Sequence, residues 1–193
     1  MSQLALFEDE VFAGPKGLRY AREFVSEELE RELIARIARL PLKPFQFGAF
    51  EGHRRVKSFG FRYDYTLQKL TESDPIPDWL SRVARSVEAF GNLAEGSVQQ
   101  VLCTEYEAGV GIGWHCDKLH FGKVFGLSLH SACKFRFRRR HAANWERFAL
   151  GAEPRSLYLM EGEARHDWEH SIPAVEARRY SITFRTMADA ASG

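Results

Sequence analysis

At 193 residues and 22.1 kDa the chain exceeds the usual domain size of about 150 residues by too little to hold two, so one domain over residues 1–193 is expected. Apolar residues at 45% and charged residues at 27% exclude a disordered chain, a collagen and a coiled coil, and suffice for one sizeable core. A net charge of +1 gives no bulk attraction to a polyanion, so any nucleic-acid contact has to come from a local patch.

The N-terminus carries the apolar run Leu4, Ala5, Leu6, Phe7, followed at once by Glu8, Asp9 and Glu10. It has no basic leader and no small-residue cleavage site, so a secretion signal is not expected. Gln3, Leu4, Ala5, Leu6 and Phe7 look like the short peptide by which bacterial proteins dock on the replication sliding clamp; the alternative is a first strand that closes the fold. No stretch approaches the run of about 18 apolar residues that a membrane span needs. Cys103, Cys116 and Cys133 stand far apart, without C-x-x-C spacing and in odd number, which favours a reduced, cytoplasmic setting; a soluble monomer is expected.

Ser26 is placed to cap a helix with Glu27 and Glu28 in its first turn; Leu29, Leu33, Ile34, Ile37 and Leu40 recur at helical spacing until Pro41. Residues 57–67 alternate aromatic with polar side chains and predict a hairpin over a β core. A second helix opens at Pro77, with Leu80, Val83, Ala84, Val87 and Phe90 on one stripe, and closes at Gly91. From residue 98 the texture changes to short apolar or alternating runs at 98–106, 123–129, 132–138, 156–160, 168–172 and 179–184, the spacing of an antiparallel sandwich or jelly roll. The reading is α+β, mainly β: residues 1–97 supply helical support and the hairpin, and residues 98–187 the β core.

The hairpin is rich in aromatics, Phe59, Phe61, Tyr63 and Tyr65, interleaved with Arg62 and preceded by His53, Arg54, Arg55 and Lys57. It reads either as a nucleotide lid, with base stacking worth about 1–3 kcal/mol per base, or as a strand with an apolar core face. Lys134, Arg136 and Arg138 alternate with Cys133, Phe135 and Phe137 and lead into Arg139 and Arg140, giving a strand with a cationic outer face that holds phosphate or merely protects an edge.

His115 and Asp117 follow the glycine-rich turn Gly109, Val110, Gly111, Ile112, Gly113, and His170 falls in a later strand. On extended chain the H-x-D pair points to one face, where His170 would reach it from a facing strand, while Cys116 points away into packing. Two imidazoles and a carboxylate on one side of an ion suit a non-haem Fe(II) oxygenase; the alternative is a surface turn and a core histidine. Arg179 and Arg185, six apart on one strand face, would supply cationic partners for a dicarboxylate, unless they are solvated on an edge.

The motifs T-E-Y-E-A-G-V-G-I-G-W-H-C-D (from Thr104), R-H-D-W-E-H-S-I (from Arg165) and R-Y-S-I-T-F-R (from Arg179), in this order, resemble the AlkB-like 2-oxoglutarate- and Fe(II)-dependent dioxygenases. The resemblance implies a double-stranded β-helix core with N-terminal helices on one side, and the cofactors Fe(II), 2-oxoglutarate and O2. It implies that His115, Asp117 and His170 bind the iron and that Arg179 and Arg185 hold the co-substrate carboxylates, with Tyr106, Thr104 and Ser181 beside them. His170 is preferred to His166 because it follows Trp168 by two, and Arg179 to Arg178 because only Arg179 has a partner six residues on. Thr104 and Ser181 stand where the best-known members carry asparagine, and Leu119 where the repair members carry an acidic, base-recognising residue.

The implied reaction is oxidative demethylation of an alkylated nucleobase in DNA or RNA, with succinate, CO2 and formaldehyde as products. The base has to leave its stack to reach the pocket. Phe61, Arg62, Tyr63, Tyr65, Arg136 and Arg138 are candidate substrate contacts. Leu119 keeps open a hydroxylase of a modified tRNA nucleoside or of a protein side chain. A different class also stays open, a metal-holding module that binds nucleic acid without turnover.

Overall fold

In the computed structural model, which describes residues 14–47 and 49–189, Ser26 opens the first helix: its Oγ accepts the Leu29 amide at 3.1 Å, and Glu27, Glu28 and Glu30 sit at the positive end of the helix dipole. This helix, α1 (Glu27–Ile37), ends before the expected Leu40 because residues 38–40 tighten into a turn, with the Leu40 amide bonded to the Ile37 carbonyl. The second helix, α2 (Asp78–Phe90), follows Pro77 and stops at Gly91 as its pattern predicts. Gln3 to Phe7, the expected clamp peptide, lies outside the described residues.

The strands are β1 (Leu18–Ala21), β2 (Lys43–Phe47), β3 (Phe50–Phe59), β4 (Phe61–Asp64), β5 (Lys69–Glu72), β6 (Val98–Tyr106), β7 (Ile112–His115), β8 (Phe121–Leu129), β9 (Cys133–His141), β10 (Asn144–Ala152), β11 (Leu157–Met160), β12 (Glu169–Ile172) and β13 (Arg179–Met187); a short helix, α3 (Gly162–His166), precedes β12. They form a seven-stranded antiparallel sheet in the order β1-β11-β8-β13-β6-β3-β2 and a four-stranded sheet in the order β10-β9-β12-β7, with β4 and β5 as a separate ribbon. This is the mainly-β, two-sheet arrangement expected, with the sheets open at their edges. Strands from the first half, β1, β2 and β3, hydrogen-bond into the large sheet, so the described residues before 98 are more than external support.

Alternation along β13 shows how the layers are made. Tyr180, Ile182 and Phe184 face the helices and join Leu33, Ile37, Leu80 and Val87 in one core. Arg179, Ser181 and Arg185 lie on the other face, toward the small sheet, where Tyr106, Phe135, Phe137, Met160 and Trp168 form a second core. The inner face of the large sheet is therefore partly polar, and that is where the site lies.

The hairpin expected over residues 57–67 is displaced. The chain kinks at Gly60, whose φ of +78° suits glycine and where a Cβ would lie 2.0 Å from the Gln99 carbonyl oxygen. Phe59 ends β3 in the helix-side core, and the ribbon is made instead by β4 against β5, Tyr63 opposite Leu70.

Candidate metal centre and co-substrate pocket

His115 ends β7, and β12 runs antiparallel beside it with His170 directly opposite. His170 thus comes from the neighbouring strand of the small sheet rather than a facing one. The imidazole centroids are 4.2 Å apart. Asp117 is not on extended strand; it follows β7 in the loop that leads to β8 and turns back toward the pair. One ligand atom from each of His115, Asp117 and His170 falls within 4.8 Å of the others, with Asp117 Oδ2 3.3 Å from His170 Nε2. Cys116 is exposed, its thiol 3.6 Å from the Trp168 carbonyl, not packed inside as a regular strand would place it.

The charge states suit a cation. His115 Nδ1 lies 2.8 Å from the Gly113 carbonyl, which fixes the proton on Nδ1 and leaves Nε2 as the lone-pair donor. Burial and the neighbouring His170 lower the His115 imidazole to about 4, so it is neutral at physiological pH. Burial alone would push the Asp117 carboxyl up, but Arg185 and then His170 and His115 more than reverse this and hold it well below the usual carboxylate range.

On the inner face of β13, Ser181 lies in register with Thr104 of β6 and Ser128 of β8. Arg179, 2% exposed, stands opposite Tyr106 with its guanidinium carbon 5.1 Å from the Tyr106 ring. Its Nε and Nη2 donate to Ser128 Oγ at 3.2 and 3.1 Å, while its Nη1 is buried with no hydrogen-bond partner. A buried guanidinium nitrogen without a partner is costly, and a carboxylate is the group that satisfies it. Tyr158 closes the pocket from β11, its phenol pushed up by burial; a Cβ at Gly126 would lie 2.1 Å from its ring, so only glycine lets it in.

Arg185, the second arginine expected at the co-substrate carboxylates, reaches the triad itself. It donates to Asp117 and to Gln100 Oε1 at 2.8 Å, because the buried carboxylate of Asp117 requires a counter-charge. Arg179 differs from Arg185 in keeping one buried nitrogen without an acceptor.

The expected substrate contacts divide. Tyr63 and Tyr65 touch edge to face at 4.9 Å; His120 lies 5.6 Å from the Tyr63 ring, and the Lys118 ammonium 4.6 and 4.9 Å from the two Tyr rings. The ribbon therefore lies against the loop that carries Asp117. Phe61 is half-buried and shares a strand face with Tyr63. Arg62 is exposed and donates to Thr71 Oγ1 at 3.3 Å, on the other face. Arg136 and Arg138 pair in register with Ser171 and Glu169 on the outer face of the small sheet, opposite to His170; they stack on Trp114 at 4.9 and 4.4 Å and do not reach the triad.

Ser128, Gln100, Tyr158 and Arg165 were not singled out from the sequence. The polar residues at alternate positions within the apolar runs of β6 and β8 were the available signal for Gln100 and Ser128. Arg165, on α3, is buried and donates to the carbonyls of Lys118 and Phe121 at 2.8 Å, Gly122 at 3.0 Å and Asp117 at 3.4 Å.

With two sheets, two histidines and an aspartate meeting at one point, and a buried arginine beside them, the chain belongs to the 2OG-Fe(II) oxygenase superfamily, whose family model matches residues 17–185. Within it the chain is AlkB-like. It is 31% identical over 147 residues to the "Alkylated DNA repair protein ALKBH8 homolog" of Arabidopsis thaliana, covering 62% of this chain and 42% of that protein. It is 31% identical over 166 residues to "tRNA (carboxymethyluridine(34)-5-O)-methyltransferase ALKBH8" of Mus musculus, covering 82% of this chain and 24% of that protein. The chain thus spans less than half the length of these curated relatives. Its fold matches the structure of OsALKBH1 with a TM-score of 0.70 at 16% identity, over 91% of this chain and 98% of that one. It also matches a Pseudomonas putida prolyl-4-hydroxylase with a TM-score of 0.61 at 13% identity, over 90% of this chain and 94% of that one. The superfamily uses Fe(II), 2-oxoglutarate and O2, and the residues present fit that set: a two-histidine, one-carboxylate donor cluster beside a buried arginine nitrogen lacking an acceptor. No helix among the described residues is long and apolar enough to cross a membrane.

Proposed function

We propose that this chain is an Fe(II)- and 2-oxoglutarate-dependent dioxygenase that oxidises a modified nucleobase in nucleic acid, with removal of an N-methyl group as its leading reaction. The observation that carries the reading is the unpartnered Nη1 of buried Arg179 within the pocket that also holds the His115, Asp117 and His170 cluster. The bound iron with its co-substrate and O2 supplies the oxidation of a C–H bond, at the expense of decarboxylating 2-oxoglutarate to succinate. The chain's own share is holding and orienting. His115 Nε2, Asp117 Oδ2 and His170 Nε2 are the metal donors; Arg179 anchors the distal carboxylate of the co-substrate; Thr104, Ser181 and Tyr106 line its path. Tyr63 and Tyr65 supply stacking surface for an unstacked base and exclude water from it.

A second reading, hydroxylation of a modified tRNA nucleoside, is supported by the mouse relative, whose name places a modified uridine of tRNA as its substrate, and by Leu119, 79% exposed where a base-recognising acid stands in the repair members. Succinate release dependent on Fe(II), 2-oxoglutarate and O2, measured with and without methylated oligonucleotides and tRNA, tests both. Stimulation with stoichiometric formaldehyde is the expected result. Stimulation by tRNA with a hydroxylated nucleoside and no formaldehyde selects the second reading, and the absence of any stimulated turnover overturns both.

A further inference from the structure

Three cations lie along β3, and two are matched: Arg55 meets Glu105 at 3.0 Å, and Lys57 meets Asp74. The third, Arg54, is half-buried, and among the described residues it has neither an ion-pair nor a hydrogen-bond partner. Its guanidinium lies 3.8 Å from the Phe45 ring centroid; Phe45 touches Tyr65 at 5.8 Å, and Tyr65 touches Tyr63. Stacking fixes the plane of a guanidinium while leaving its in-plane N–H groups free to donate. Arg55 lies in register with Glu105, so the preceding residue, Arg54, falls beside Tyr106 on the inner face of the large sheet, and the contacts from Phe45 through Tyr65 to Lys118 join it to the loop that carries Asp117. The Asp117 carboxylate is already held by Arg185 at 2.6 Å.

The rest of the mouth has the same bias. Lys118 projects over the tyrosine rings, and the next residue, Leu119, brings no carboxylate. Bases methylated on a ring nitrogen differ in charge: 3-methylcytosine is a cation near neutral pH with an amino group at C4, whereas 3-methyluracil has the same methyl position, is neutral and has a carbonyl at C4 in its place. A cationic base brought up to Arg54 and Lys118 meets like charges, and the Asp117 carboxylate behind them is already engaged by Arg185. A carbonyl or carboxylate oxygen gives Arg54 the acceptor it lacks.

We propose that Arg54 is a specificity-determining residue that donates to an acceptor oxygen of the substrate base, so that the pocket takes neutral or anionic bases with a carbonyl or carboxylate edge in preference to cationic methylated ones. This rests on the nucleobase-oxidising reading above and narrows its substrate class.

The test uses two RNA oligonucleotides that differ only in carrying 3-methyluracil or 3-methylcytosine. The enzyme loaded with Fe(II) and 2-oxoglutarate is assayed for formaldehyde release in air and for binding by fluorescence anisotropy without oxygen. The expected result is a preference of tenfold or more for 3-methyluracil, in kcat/KM and in anaerobic affinity. Arg54→Gln should erase the preference and Arg54→Glu should reverse it, while Arg54→Lys retains its sign. Equal treatment of the two bases, a preference for 3-methylcytosine, or a ratio unmoved in Arg54→Glu overturns this inference and leaves the nucleobase reading standing. If neither oligonucleotide is bound or oxidised while 2-oxoglutarate is still consumed, the nucleobase reading falls and the inference with it.

Discussion

Arg185 grips a single oxygen of Asp117 with two nitrogens, Nη2 at 2.6 Å and Nε at 2.9 Å from Oδ1, and so leaves Oδ2 turned to His170. One side chain thereby sets both the charge and the direction of a candidate metal ligand. Replacing Arg185 with Ala strands a buried carboxylate, an effect of about 3–5 kcal/mol in comparable pairs. Metal affinity should fall roughly 10–100-fold, as it does when such supporting partners are removed. Co(II) titration followed by visible absorption measures the second effect and thermal melting the first; unchanged metal affinity would show that Asp117 is oriented by something else.

Arg179 makes a different prediction, because its Nη1 has no partner in the protein and, on the proposed function, is the nitrogen that meets the co-substrate carboxylate. Arg179→Gln should raise the KM for 2-oxoglutarate on the order of 100-fold, corresponding to about 2–5 kcal/mol for truncating a buried charged partner. Co(II) affinity should stay as in the parent. Ser128→Ala, which removes only the hydroxyl that steadies the guanidinium, should cost less. A 2-oxoglutarate KM insensitive to Arg179→Gln removes this residue from the pocket.

Acid should destabilise the metal-free protein in two stages. The His115 imidazole is held at about 4 in the fold against an ordinary 6.5, so in that interval the unfolded chain binds the extra proton and stability declines as pH falls. The Asp117 carboxyl lies well below its ordinary 3.8, so its contribution is present above that value and is lost as pH falls further. Melting temperatures recorded from pH 8 to pH 3 should fall throughout the acid side, and His115→Asn should flatten the upper stage. A melting temperature constant from pH 7 to pH 4.5 contradicts the first stage.

The three cysteines should separate by reactivity. Cys103 and Cys133 are buried, and burial pushes the Cys103 thiol up to about 12, whereas Cys116 is exposed. Partial desolvation of its sulfur and the nearby Glu169 still raise the Cys116 thiol, so its labelling should accelerate as pH rises. Native protein should take up one equivalent of a thiol reagent and unfolded protein three; Cys116→Ser should abolish the native reaction. Two or more equivalents in the native state would contradict the burial of the other pair.

Periodicity made the helices readable: the stripe from Leu80 to Phe90 and the cap at Ser26 depend on neighbours a turn away. Strand β6 was legible from the short apolar run of Val101, Leu102 and Cys103 between Val98 and Tyr106. Strands β1 and β10 escaped because they form sheet edges; β10 exposes most of Asn144 to Arg147, so no apolar pattern marks it. Aromatic alternation ran unbroken across Gly60 and concealed the kink. At the site, residue types and spacing disclosed His115, Asp117 and His170, but not that strand register sets His170 beside His115, nor that Asp117 leaves the strand. The allegiance of Arg185 to Asp117, and the solitude of Arg54 next to the matched Arg55, depend on which carboxylates long-range pairing brings near. Local sequence carries no record of that.

Arg165 fastens the loop after Asp117 entirely through main-chain oxygens, from Asp117 to Gly122. Such an anchor is indifferent to which side chains the loop displays. Lys118, Leu119 and His120 are consequently free to vary under selection for new substrates while the aspartate behind them keeps its seat, and the tool can change its bit without loosening its chuck.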